Sequence, residues 1–203
     1  LKLILGGHWC EAPEGWLALK QADQDITKRL NFDDNSVDVI FTEHVIEHIT
    51  FIEGVAFLRE CYRVLKPSGI IRTVAPMIET MIRFQNDEFG KQYASDSLHP
   101  FYQNEAQVLA SLGLNLQYDP HPFMIDSMVR KHGHQFCWSQ KLLRRVLLKI
   151  GFLQAEYADP GQSALDQATA IERTIRGVHG DNLIRDFGPQ VYDPESGIVE
   201  ARK

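Results

Sequence analysis

A doubly wound α/β domain, with a mostly parallel sheet and helices on both faces, is the fold class that this sequence predicts. Three observations carry that prediction: short apolar runs that end in turn residues, a helical period placed between two β-branched runs, and a second amphipathic helix near the C-terminal third. Leu1–Leu5 is an apolar run stopped by Gly6-Gly7, which reads as a buried strand ending where the backbone must bend. Trp16–Leu19 is a second short run. Residues 37–42, introduced by Asp33-Asp34-Asn35-Ser36, are β-branched and aromatic and predict a third strand. Phe51, Val55, Leu58, Tyr62 and Leu65 then recur at helical spacing, and Lys66-Pro67-Ser68-Gly69 reads as the turn that ends the helix. Ile70–Ala75 predicts the next strand, closed by Pro76. A helix is predicted over residues 77–92, an amphipathic helix over Ser139–Ile150, and strands over Phe152–Tyr157 and Ser196–Ala201. Residues from about 93 to 135 show no firm period and are too long for a plain connection, so they read as an insertion over the ligand site of one domain spanning residues 1–203. In such a sheet, ligands bind at the carboxyl ends of the strands.

Composition narrows the function classes. The chain has 203 residues, 44% hydrophobic and 24% charged, which is globular rather than disordered. A net charge of −6 gives no basic field for a nucleic-acid backbone or an anionic membrane, so small-molecule partners are expected. No apolar run reaches the length of a membrane span, and Leu1–Leu5 is too short and too weakly basic for a signal peptide. Three dispersed cysteines, Cys10, Cys61 and Cys137, fit neither a disulfide framework nor a zinc ribbon, so a reducing, cytoplasmic setting is expected. Oligomeric state is not legible. Eight histidines in an acidic chain stand out, and their count alone points to metal or acid–base chemistry.

The run from Leu30 to Ala75 carries a more specific signal: Leu30-Asn31-Phe32, then Asp34-Asn35-Ser36-Val37-Asp38, then Glu43-His44-Val45-Ile46-Glu47-His48-Ile49, then Glu60-Cys61-Tyr62-Arg63-Val64-Leu65-Lys66-Pro67-Ser68-Gly69. In this order the segments resemble the core of the class I S-adenosylmethionine-dependent methyltransferases of the type 11 group. Leu3–Gly7 and Pro13-Glu14-Gly15-Trp16 are similar to the glycine loop and the following segment of a branch associated with cell-envelope sugars. Ser139–Phe152 and Glu195–Lys203 are similar to its last helix and closing strand.

The resemblance implies a Rossmann-like, seven-stranded sheet, S-adenosylmethionine as cofactor, and methyl transfer to a small acceptor, such as a saccharide or lipid-linked sugar. It also implies site roles. Gly6 and Gly7 would receive the methionine part, where a side chain would block close approach. Asp25 and Ile26 would hold adenine, one accepting from the amino group and the other packing on the ring. Glu43 and His44 would face methyl donor and acceptor. His134, before Gln135-Phe136-Cys137-Trp138, would be a general base, since an imidazole takes a proton near neutral pH.

Two departures bear on the cofactor. The glycine loop reads Gly6-Gly7-His8-Trp9, with bulky residues where later glycines belong, and Lys20 stands where the ribose acid is expected, leaving Asp23 as substitute. A methyltransferase fold without cofactor, acting as a binding module, is therefore a second reading. A third is a zinc hydrolase, because His44-Val45-Ile46-Glu47-His48 spells H-x-x-E-H. That signature needs both histidines on one face of a long helix, whereas here a strand runs directly into it. No metal site is therefore expected.

Overall fold

The computed structural model describes residues 1–6, 12, 14–20, 23–86, 110–113, 125–126, 129–130, 132–159 and 196–203. Among them six strands form one sheet in the order β2-β1-β3-β4-β6-β5: β1 Lys2–Leu5, β2 Trp16–Leu19, β3 Val37–Glu43, β4 Leu65–Pro76, β5 Gln154–Ala158 and β6 Ser196–Arg202. β2, β1, β3 and β4 run parallel, and β6 is antiparallel to both of its neighbours. This is the α/β, mostly parallel sheet that the alternation predicts. Six strands stand among the described residues. Between β2 and β3, residues 23–36 form turns, because their apolar side chains are separated by charges and the Asp25–Thr27 and Asp34–Asn35 segments supply turn chemistry. β2 is thus an edge of the sheet.

Helix α1, Phe51–Val64, connects β3 to β4. Thr50 opens it with a capping box, accepting from the Glu53 amide while the Glu53 carboxylate accepts from the Thr50 amide. Its buried positions Gly54, Phe57, Leu58, Cys61 and Val64 face the sheet. Helix α2 is Ile78–Asn86, and helix α3, Gln140–Ile150, is capped by Ser139 and presents Leu143 and Leu147 to the same core. That core joins Leu3, Leu5, Ile40, Ile71, Val199 and Ala201 to the inward sides of α1 and α3. The other sheet face carries Ile4, Phe41, Val74 and Ile198. Beside them, Arg72 and Glu200, register partners across β4 and β6, form an ion pair only 1% and 0% exposed. Removing either partner would strand a charge inside.

The charged letters of the motif run serve as scaffold. Arg63 bonds the Glu60 carboxylate, the Asp34 carboxylate, and the carbonyls of Leu30 and Phe32, fastening residues 30–34 to α1. Its side-chain hydrogen bond holds the Glu60 carboxyl below its ordinary range. Lys66 reaches Asp38, and Lys203 reaches Asn35 and the end of α1.

Trp138 ties the carboxyl edge to the helices. It is fully buried, its indole N–H donates to the Ile46 carbonyl at 3.2 Å, and a Cβ on Gly54 would come within 2.7 Å of its ring. Gly54 therefore lets α1 approach the indole. Replacing Trp138 with Ala should cost about 3–5 kcal/mol, as for large core truncations; urea denaturation should show the midpoint falling at an unchanged slope.

Candidate functional site

The chain goes from β1 outward to β2 and returns to β3 on the other side of β1, so the strand order reverses between β1 and β3. The crevice at their carboxyl ends is the place where open α/β sheets bind ligands. Gly6 and Glu43 stand at its mouth. Gly6 has φ +82°, and a Cβ there would lie 1.9 Å from Val45 Cγ2 and 3.6 Å from the Glu43 carbonyl oxygen. No side chain fits. Gly7, His8, Trp9 and Cys10 lie outside the described residues.

His44 leaves β3 with φ +51°, a left-handed conformation uncommon outside glycine, while its amide still donates to the Val74 carbonyl at 3.0 Å. Strained backbone of this kind concentrates at functional sites. The turn Ile46–His48 follows, a single 3-10 turn. The long helix that H-x-x-E-H requires is not formed, because His44 lies outside the turn, so the peptidase arrangement of that signature is absent here.

The turn buries Glu47, which is 1% exposed, and neither carboxylate oxygen has a hydrogen-bond partner among the described residues. Imidazoles face it instead. His44 Nδ1 lies 3.1 Å from Oε1, close enough for an ion pair but without hydrogen-bond alignment, and His48 Nε2 lies 3.9 Å away. Burial pushes the His48 imidazole below its ordinary pKa, against the opposing field of Glu47.

His134 is brought to this group from far along the chain. Backbone amides of Gln135 and Phe136 donate to the Glu47 carbonyl at 2.7 and 3.3 Å, and the Gln135 side chain donates to the His48 carbonyl at 2.8 Å. His132 and Gly133, with φ +62° and +76°, make the tight turn before it. The His134 and His48 rings sit 4.8 Å apart, edge to face. Sequence reasoning singled out His44 and His134 separately. It missed Glu47, the buried carboxylate that lies 3.1 Å from His44 Nδ1 and within 4.8 Å of a His134 ring nitrogen, because that meeting depends on main-chain bonds between distant segments.

The β2 side of the crevice is more exposed. Lys20 follows the last residue of β2, and the Asp23 carboxylate turns back to accept from the Lys20 amide at 2.9 Å through Oδ2. Asp25 spends Oδ1 on the Thr27 amide and hydroxyl, and Ile26 packs half-buried against the main core. Each aspartate keeps a second oxygen for a hydroxyl or amino group. The described residues thus fit a nucleoside-bearing sulfonium cofactor: a left-handed glycine at the crevice, a carboxylate at the end of β3, and exposed carboxylates after β2.

Residues 10–73 match the model of a methyltransferase-domain family, about a third of the chain. That segment is similar to a methyltransferase domain, and the cofactor this similarity indicates is S-adenosylmethionine. No curated protein matches the chain in sequence. Among solved structures, a S-adenosylmethionine-dependent methyltransferase from Archaeoglobus fulgidus is 15% identical, with 100% of this chain and 86% of that one covered at a TM-score of 0.49. A Thermotoga maritima protein described as a possible histamine N-methyltransferase is 13% identical, covering 93% and 65% at 0.44. A possible exported protein from Bordetella parapertussis is 14% identical, covering 93% and 44% at 0.44. The chain therefore spans less than two thirds of the length of these last two proteins. No helix among the described residues is long and apolar enough to cross a membrane.

The Gly6–Val45 contact is testable as a pair. Gly6→Ala should destabilise by more than about 1 kcal/mol, from the left-handed backbone and the clash together. Adding Val45→Ala should recover part of the loss, with a coupling of roughly 0.5–3 kcal/mol in a double-mutant cycle read by chemical denaturation.

Proposed function

We propose that the chain binds S-adenosylmethionine across the carboxyl ends of β1 and β3 and directs its methyl group to a small acceptor, a saccharide or lipid-linked sugar, in a cytoplasmic setting. The observation that carries this reading is the crevice at the strand-order reversal, with left-handed Gly6 on one side, four residues before the segment that matches the methyltransferase domain, and buried Glu43, within that segment, on the other. The acceptor class rests on the resemblance of Leu3–Gly7, Pro13–Trp16, Ser139–Phe152 and Glu195–Lys203 to the cell-envelope branch.

S-adenosylmethionine supplies an electrophilic methyl group on a sulfonium sulfur. Gly6 and Gly7 make room for its methionine part. Asp23 accepts from the ribose hydroxyls in place of an acid at Lys20, while Asp25 and Ile26 receive adenine. Glu43 and His44 line the transfer edge. His134, with its ring beside His48, takes the proton that a hydroxyl acceptor releases, and in-line positioning supplies the remaining catalysis.

Calorimetric titration of the purified chain with S-adenosylmethionine checks the reading. Saturable one-to-one binding is expected, weakened about tenfold or more in Asp23→Ala, since a hydrogen bond to a charged group contributes about 1.5–3 kcal/mol. Absence of heat and of any thermal shift at millimolar cofactor would overturn it and favour the cofactor-free binding module.

A further inference from the structure

We infer that Glu47, His48 and His134 form a binding site for a divalent transition-metal ion of the zinc type, beside the cofactor crevice, on observations separate from those that support the methyl-transfer reading.

The first support is convergence. One ligand atom from each of the three residues lies within 4.8 Å of the others, although His134 comes from 86 residues beyond His48. The approach is built rather than incidental. Three hydrogen bonds from Gln135 and Phe136 and one from the Trp138 indole clamp residues 135–138 onto the 46–48 turn, and the left-handed His132-Gly133 turn delivers His134 to it.

The second support is the buried carboxylate. Both Glu47 oxygens are shut from solvent and accept no hydrogen bond among the described residues. A carboxylate in that position is costly unless something positive meets it. His44 Nδ1 at 3.1 Å and His48 Nε2 at 3.9 Å are the groups that face it, and a cation between Glu47 and His48 would satisfy the oxygen while using the His48 nitrogen as a lone-pair donor.

The third support is the ring arrangement: the His48 and His134 imidazoles meet edge to face with centroids 4.8 Å apart, and His48 Nε2 lies 3.9 Å from Glu47 Oε1.

Two imidazoles and a carboxylate suit zinc and its neighbours rather than calcium or magnesium, and three protein ligands leave a position open to water or an acceptor atom. Ligand atoms of a tetrahedral site with bonds near 2.0–2.1 Å stand about 3.3 Å apart. The partly exposed His48 and His134 rings are the ligands that would turn to close the remaining distance around buried Glu47. An ion on His134 removes that imidazole from proton transfer, so the metal-bound and general-base roles exclude each other in one molecule.

The test titrates the untagged full chain with zinc chloride by calorimetry and with cobalt(II) by visible absorption. One ion per chain is expected, with the d–d bands of a low-coordinate cobalt site and an affinity lowered at least about 10–100-fold in His134→Ala and in Glu47→Gln. Cys137→Ser, which removes the nearby thiol, should leave binding unchanged. Circular dichroism establishes that each variant is folded. If Glu47→Gln does not fold, His134→Ala, at a partly exposed position, decides. No uptake at submillimolar zinc, uptake that survives His134→Ala, or uptake lost in Cys137→Ser alone would overturn the assignment. Titration with S-adenosylmethionine reads the other proposal separately, so either can fail alone.

Discussion

The chain leaves β3 through a histidine in the left-handed region, and the carboxyl edge of the sheet depends on that exit. With φ +51° at His44, the backbone keeps its ladder bond to Val74 yet turns sharply enough for Val45 to fold back over Gly6. The next three residues then coil into a 3-10 turn that points Glu47 inward and leaves the Glu47 and Ile46 carbonyls free to accept from residues 135–138. An extended exit would separate Gly6 from Val45 and remove the acceptors that bring His134 to the site. The glycine requirement at one strand end and the imidazole cluster at the other therefore share a cause.

Packing holds this arrangement from behind. Trp138 fills the space between the turn and α1, where Gly54 supplies the clearance, and its indole N–H satisfies the Ile46 carbonyl at the end of the sheet. On the opposite side of α1, Arg63 gathers the loop that enters β3. The motif that makes the sequence resemble methyltransferases is in large part a set of devices for holding α1 between β3 and β4. Glu43, His44 and Glu47 are the part of it that stands at the carboxyl end of β3 and in the turn that follows.

Much of the architecture was legible because its strands are short, apolar and bounded by turn residues, as at Leu3–Leu5, Val39–Phe41 and Ile70–Val74. Local pattern misled where pairing overrode it. Lys66-Pro67-Ser68-Gly69 reads as a turn, yet β4 begins at Leu65, because a register shift between Val37 and Val39 lets Leu65 pair with Val37 while Ser68 takes φ +66°. Between Asp23 and Ser36 no apolar alternation builds a further strand, and turns stand there instead. At the site, Gly6 was legible from its place after an apolar run. The meeting of His134 with Glu47 was not, since it depends on main-chain bonds between segments almost ninety residues apart, which no local period encodes. Asp23 and Asp25 were identified by position, but their turn-capping bonds appear only in three dimensions. The insertion placed at about residues 93–135 lies largely outside the described residues.

The central claim is that the strand-order reversal between β1 and β3 is where this chain holds S-adenosylmethionine. A crystal structure with S-adenosylhomocysteine addresses it most directly. The account predicts the homocysteine portion against Gly6 and the end of β3, with the adenosine portion on the β2 side near Asp23 and Asp25. Ligand density away from that crevice, or a crevice filled by Lys20 or Trp9, would contradict it.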